Sequence, residues 1–374
     1  MPFLFSIKTV ASKIRAKGRK HKPNEPNSQK PDSQQDQPSL VPQLPPLNAV
    51  HLPRVLPEHQ SALADQGWTK ITYDDPHERD ELYSSSKALF RASKAFFDLP
   101  ASQKQAFKTK AGSEEGWSHV EGEKEFITLR TLENTPLELK GAAAEFWRIV
   151  GSLMDELIGR ISESVGLPPE ALDAYSKPCN TLGLEKTATM LRLFRYEGFE
   201  KDKPKVVAEP HRDLGMLSLV IGDTPGLEVW DGHAKMYFPI ERTFTTPAAS
   251  VLVGRQIERL TNFRYRSGGH LVRSYPDTGR QEEMDGIIRR YRYSAVFVLR
   301  AHYPLIINTD ELTTAITGPF WTPLVGITGE EFFRGIQRSH FNINTGLDER
   351  NKQRIDLAKK KAQEASQPEV DQKV

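Results

Sequence analysis

One cysteine, Cys179, stands in a chain of 374 residues. That scarcity excludes an intrachain disulfide and any zinc site built on several thiolates, and it fits a reducing compartment. An excess of charge of one sign is also missing, since 51 Lys and Arg against 49 Asp and Glu leave a net +2. A polyanion-binding protein ordinarily carries a basic excess, so no nucleic-acid partner is expected. Long apolar runs are absent too. The apolar start Met1 to Ile7 is broken by Lys8 and is far shorter than the roughly 20 residues a bilayer requires, so no membrane partner is expected. Its apolar-then-basic order reverses that of a secretory peptide; the expected location is cytoplasmic, with a mitochondrial targeting helix over Ile7 to Lys20 as the alternative. No repeat with a period of about 20 to 50 residues is visible, which excludes a solenoid or propeller.

What is present divides the chain into four stretches. Residues 1–46 are basic and rich in Pro, Gln, Asn and Ser; the first 50 residues carry a net +5, so the other 324 sum to −3. Such a lead-in cannot bury enough apolar surface to order itself. Residues 47–180 read as helical: Leu82, Leu89, Phe90, Phe96 and Phe97 recur at helical spacing, as do Phe146, Ile149, Leu153, Leu157, Ile161 and Val165. Residues 181–345 read as β-rich, with strands over 191–196, 217–221, 227–230, 236–240, 250–253 and 293–299 separated by Gly, Asp and Pro turns. This half reads as a sandwich or barrel. Residues 346–374 are charged, lack a second apolar stripe, and read as a frayed surface helix or tail. A monomer is expected.

His211-Arg212-Asp213 is the first chemistry-bearing pattern. In extended chain, residues two apart share a face, so an imidazole and a carboxylate at this spacing can reach one metal ion. A second His completing two nitrogens and one oxygen would make the facial triad of non-haem Fe(II) oxygenases. His270 is the best candidate: it follows the strand-like 263–266 and the pair Gly268-Gly269, which permits close backbone approach. A bare His-x-Asp arises easily by chance. The rival His119-Val120-Glu121 lies in a Glu- and Gly-rich stretch and reads as a solvated loop or part of a lid. His233, His302 and His340 read as surface or core groups. Further on, Arg292 and Ser294 share one strand face, where a guanidinium fork and a hydroxyl can hold a carboxylate; the alternative is an exposed salt bridge of Arg292. Tyr196 ends the strand over 191–196 and can add a phenol hydrogen bond.

In that order, with Thr261-Asn262 and Tyr265-Arg266-Ser267 between, the residues from about 45 to 340 resemble the isopenicillin N synthase-like 2-oxoglutarate and Fe(II)-dependent dioxygenases. Gln66-Gly67-Trp68, Phe96 to Pro100 and Glu115 to Ser118 are similar to that family's N-terminal region. The resemblance implies a mainly β fold with flanking helices (α+β), its core a distorted double-stranded β-helix, or jelly roll. It implies Fe(II) held by His211, Asp213 and His270, and 2-oxoglutarate gripped by Arg292 and Ser294 with Tyr196 assisting. It also implies O2 as oxidant, with ascorbate as a reductant, and hydroxylation, desaturation or cyclisation of a small organic molecule, coupled to formation of succinate and CO2.

The sequence departs from the family pattern at Gly254-Arg255, at Phe194-Arg195-Tyr196 and at Ser267-Gly268-Gly269, and has a polar insertion over 277–290 that reads as a surface hairpin. If that insertion shifts the register, Arg290 replaces Arg292. Two other readings are kept: an oxidase of the same fold that does not use 2-oxoglutarate, and a catalytically idle jelly-roll binding module. Trp117, His119, Phe126 and Phe320-Trp321 are candidates for a substrate pocket.

Overall fold

The structure is a computed structural model and describes residues 44–72, 80–183, 187–197, 204–275, 280–284 and 287–366. The basic lead-in up to residue 43 and the last eight residues lie outside these. The strands are β1 (Trp68–Thr72), β2 (Gly116–Val120), β3 (Lys124–Leu129), β4 (Met190–Glu197), β5 (Lys205–His211), β6 (Leu217–Gly222) and β7 (Leu227–Asp231), followed by β8 (Met236–Phe238), β9 (Ala248–Val253), β10 (His270–Ser274), β11 (Arg280–Met284), β12 (Ile287–Leu299), β13 (Ile306–Asn308) and β14 (Val325–Thr328). The helices are α1 (Gln60–Asp65), α2 (Glu81–Phe97), α3 (Ala101–Lys104), α4 (Leu137–Ser164), α5 (Glu170–Asp173), α6 (Arg255–Leu260), α7 (Gly329–Gln337) and α8 (Leu347–Ser366).

Alternating apolar residues build two main sheets, beside the short pair β13-β14. The larger runs β1-β9-β6-β12-β4-β3-β2, with β11 hairpinned onto β12; the smaller runs β5-β10-β7-β8. Together with the flanking helices they give the expected jelly-roll core. The large sheet has two apolar faces with different partners. Leu191, Leu193, Leu219, Val251 and Phe297 face the helices and join the main core with Trp147, Phe146 and Leu157 of α4. Phe126, Phe194, Tyr196, Val220 and Leu252 face the small sheet and, with Val207, Leu227, Val229 and Val272, form a second, smaller core. The candidate site lies at this inner layer.

The helices are set by cap and packing chemistry. Asp80 caps α2 by accepting from the amides of Leu82 and Tyr83. Trp147 packs edge-on against Phe297 at 5.1 Å and donates its Nε1–H to the Cys179 carbonyl at 2.9 Å. Gly166, at φ 80°, ends the run after α4 before Pro168 is reached.

Three expectations need correction. The region read as helical contributes β1, β2 and β3 to the large sheet, and His119 and Val120 belong to strand β2, not to a loop. Their polar composition hides a hairpin whose backbone bonds are completed by β4. The stretch 263–266 is turn rather than strand: Asn262 and Phe263 take φ values of 50° and 65°, and Asn262 is held there by Nδ2–H bonds to the Thr317 and Pro319 carbonyls. The strand expected over 236–240 stops at Phe238, and a 3-10 turn follows over Ile240–Thr243.

The last helix is held by ion pairs in place of an apolar stripe. Arg350 of α8 is buried and bonds Glu123, and both it and Arg354 pair with Glu209 on β5. Two residues along β5 is His211, so α8 fastens the strand that presents it.

Gly67 and Gly268 bring two backbones into contact. A Cβ on Gly268 would stand 2.2 Å from the Gly67 carbonyl oxygen, and Gly67 itself has φ 78°. Gly268→Ala is therefore expected to cost at least about 1–3 kcal/mol. Gly141 on α4 has open space around its Cβ position, and Gly141→Ala is expected to stabilise by about 0.5–1 kcal/mol. Urea denaturation of both variants checks the pair; equal midpoints would contradict this reading of Gly268.

Candidate metal centre and its surroundings

His211 ends β5 and His270 begins β10, and the two stand directly opposite in the antiparallel pairing. Their rings are 4.1 Å apart between centroids. Asp213, two residues beyond His211, places Oδ1 at 3.7 Å from His211 Nε2 and 3.8 Å from His270 Nε2. One ligand atom from each of the three lies within 4.8 Å of the others, and this is the one such His and carboxylate group among the described residues. The structure thus brings together the three residues that the spacing selected and leaves His119-Val120-Glu121 apart.

The tautomers are fixed by the backbone. His211 Nδ1 is 2.7 Å from the Glu209 carbonyl and His270 Nδ1 is 3.1 Å from the Gly268 carbonyl. A carbonyl only accepts, so each Nδ1 carries the proton and each Nε2 turns a lone pair toward Asp213. Burial, with His270 beside it, holds the His211 imidazole well below its ordinary pKa, outweighing the pull of Asp213. It is neutral at pH 7, as a ligand must be. Burial would raise Asp213, but His270 and His211 more than offset this and keep it an anion. Asp213 Oδ2 is buried without a hydrogen-bond partner among the described residues. Two lone-pair nitrogens, an anion and an orphaned oxygen form a donor set that fits a divalent metal ion.

Arg292, Ser294 and Tyr196 lie across the inner layer on the large sheet. Tyr196 is directly opposite Arg292 in the β4–β12 pairing, with the guanidinium carbon 5.6 Å from its ring centre. Burial pushes the Tyr196 phenol up to about 12, with Arg292 and a hydrogen bond to Ser294 acting the other way. The sequence left Arg292 between gripping a ligand and pairing on an exposed face. It is buried, and it does pair: Nε donates to the Thr224 carbonyl and Nη2 to Glu241 Oε2, both at 2.9 Å. Its Nη1 is buried with no acceptor among the described residues. Beside the Ser294 and Tyr196 hydroxyls, that free donor fits one carboxylate of 2-oxoglutarate. The backbone of Arg290 is in β12, but its side chain lies outside what is described.

Sequence reasoning missed five groups here. Glu241 sits in the turn that was read as strand end, and its Oε2 also accepts from the amides of Gly226 and Leu227 at 2.7 Å. Lys124 is fully buried, donating to the Ile343 carbonyl, in a row with Tyr196 and Arg292. Arg192 and Glu114 lie further along the same layer. His340, read as a surface or core group, is near enough to His211 to act on it electrostatically. Alternation along β3 and β4 contains the signal for Lys124 and Arg192, but only once those segments are known to be strands.

Two measurements check this site. Anaerobic addition of Fe(II), or Co(II) in its place, is expected to raise Tm in wild type and not in His211→Ala or Asp213→Ala; equal shifts in all three would place the metal elsewhere. Burial pushes the Lys124 ammonium down to about 7 from an ordinary 10.5. The unfolded chain therefore binds the extra proton between those values, so stability of the metal-free protein rises with pH across that interval. Lys124→Met is expected to flatten that rise, and an unchanged slope would contradict the assignment.

Comparison with known proteins agrees with this geometry. Residues 188–301 match the family model of the 2OG-Fe(II) oxygenase superfamily. The chain is 24% identical over 202 residues to a flavonol synthase/flavanone 3-hydroxylase of Matthiola incana, covering 49% of this chain and 65% of that protein. It is 26% identical over 253 residues to the 2-oxoglutarate-dependent dioxygenase ecdK of Aspergillus rugulosus, covering 57% and 74%. The chain spans less than two thirds of the flavonol synthases it matches, down to 58% for one from Arabidopsis thaliana. Among solved structures, JOX2 in complex with 2OG, Fe and JA superposes with TM-score 0.58 at 17% identity, over 78% of this chain and 83% of that one. A 2OG-Fe(II) oxygenase family protein from Caulobacter crescentus gives 0.58 at 21%, over 76% and 93%. Residues 188–301, which hold the His-Asp-His cluster and most of the jelly-roll strands, are thus similar to the 2OG-Fe(II) oxygenase superfamily.

Proposed function

We propose that the protein is an Fe(II)- and 2-oxoglutarate-dependent dioxygenase that oxidises a small organic molecule, with hydroxylation favoured over desaturation or cyclisation. The carrying observation is the His211-Asp213-His270 cluster, with both Nδ1 atoms committed to the backbone and both Nε2 lone pairs turned inward. Iron with 2-oxoglutarate would supply O2-dependent attack on a C–H bond, coupled to decarboxylation to succinate and CO2, with ascorbate as a supporting reductant. The chain's own part is positioning. His211, Asp213 and His270 would hold the metal by three ligands, leaving positions for cosubstrate and oxidant. Arg292 Nη1, Ser294 and Tyr196 would orient the far carboxylate, and the apolar walls of Phe126, Phe194 and Val220 would limit water. The flavonol synthase and ecdK likenesses support a specialised-metabolism substrate.

A second reading, an oxidase of the same fold without 2-oxoglutarate, draws on Glu241. Its carboxylate already occupies Nη2 of the arginine that would otherwise be open to a cosubstrate. Incubating the Fe(II)-loaded protein with 2-oxoglutarate, O2 and a small-molecule library separates the two. Substrate-triggered succinate formation, with Arg292→Ala needing at least about ten-fold more 2-oxoglutarate, supports the dioxygenase. Substrate oxidation without succinate favours the oxidase.

A further inference from the structure

Arg192 lies on the inner face of β4, opposite Thr128 of β3 and Val296 of β12. Its Nε donates to Thr128 Oγ1 at 2.8 Å, and its guanidinium lies 5.5 Å from the Phe126 ring centre. No acceptor among the described residues meets Nη1 or Nη2, yet neither is sealed from solvent. The residue is deep within the protein but still partly accessible, so these two donors can be reached by a small ligand.

The carboxylate nearest Arg192 is shared. Glu114 is acted on by Arg300, Arg192 and Arg130; Arg130 also has Glu115, and Arg192 also feels the metal ligand Asp213. Arg300 takes Glu114 in a two-pronged bond of 2.6 and 3.2 Å, and Arg130 approaches it at 4.0 Å while donating to the Thr187 carbonyl. Burial would raise Glu114, but Arg300, Arg192 and Arg130 bring it down to about 2, so it is already fully committed. Asp213 would be neutralised further by a divalent metal. An enclosed cation with two idle donors is costly unless a ligand supplies the acceptor.

That ligand is not the far end of the cosubstrate. Arg292 turns toward the start of β7, bonding Thr224 and Glu241, whereas Arg192 turns the opposite way across the sheet, to Thr128 on β3. The walls next to Arg192 are apolar: Phe126 and Phe194 on neighbouring rows, with Val220 and Val296 on its own row.

We propose that Arg192 anchors a carboxylate on the organic substrate, whose remainder is apolar and packs against Phe126 and Phe194. The inference rests on the dioxygenase reading for the word substrate; the anion site itself stands on the geometry. A guanidinium fork with both Nη atoms free accepts a carboxylate in two parallel bonds, and an amide of the same shape offers one acceptor and no charge.

The test is anaerobic calorimetric titration of the full chain loaded with Fe(II) and 2-oxoglutarate. The probes are four acid and amide pairs: benzoate and benzamide, phenylacetate and phenylacetamide, cinnamate and cinnamamide, hexanoate and hexanamide. At least one acid is expected to bind about ten-fold or more tightly than its amide. Arg192→Met is expected to erase that preference while leaving 2-oxoglutarate affinity within about two-fold, and Arg192→Lys to retain part of it. Should Arg192→Met not fold, Arg192→Gln serves the same comparison. The proposal is overturned if no acid is preferred in wild type, if the preference survives in Arg192→Met, or if Arg192→Met weakens 2-oxoglutarate as much as Arg292→Met does. Failure of wild type to bind 2-oxoglutarate would instead count against the dioxygenase reading, and the acid and amide comparison on the Fe(II)-only protein would still decide this one.

Discussion

The site depends on one cross-strand pair: His211 standing opposite His270 where β5 meets β10. Directly paired residues of an antiparallel sheet share a face and lie within side-chain contact, which brings the two imidazoles together without any loop having to fold over them. Each ring is then fixed by a carbonyl close by in its own chain, Glu209 for one and Gly268 for the other. Other features maintain that pair. Arg350 and Arg354 grip the side chain of Glu209 from α8, and Gly268 reaches its position only because Gly67 has no side chain to block it.

Enclosure between two sheets accounts for the electrostatics. In a wet groove the charges of Arg292, Glu241, Arg192 and Glu114 would be screened and their arrangement would matter little. Between the sheets each needs a partner. Most have one, and among the described residues the exceptions include Nη1 of Arg292, the two Nη atoms of Arg192, and Oδ2 of Asp213. Of these, Oδ2 of Asp213 fits a metal, and the arginine donors fit carboxylates.

Much of this was legible in the sequence once its local patterns were taken together with the family resemblance they carry. His-x-Asp, the distal His after a Gly pair, and Arg-x-Ser are local patterns. The strand carrying Arg-x-Ser has a strong β-branched and aromatic signal, whereas β5 and β10, which carry the two histidines, were not among the strands read. The missing parts were non-local. Strands β2 and β3 carry Lys124, His119 and Glu125 amid Gly and Glu, and become strands because β4 completes their hydrogen bonds. Glu241 was invisible because its turn ends what looked like strand, and its role depends on an arginine 51 residues away. Arg192 reads as one more basic residue until the register shows that it faces inward. The charged helix α8 looked unanchored because its hold on β5 is ionic, not apolar.

The most direct test of the central claim is a crystal grown anaerobically with Fe(II), measured for anomalous scattering at the iron edge. The account predicts one strong peak bonded to Nε2 of His211, Nε2 of His270 and a carboxylate oxygen of Asp213. A peak ligated by any other set of residues, or no peak at saturating Fe(II), would contradict it.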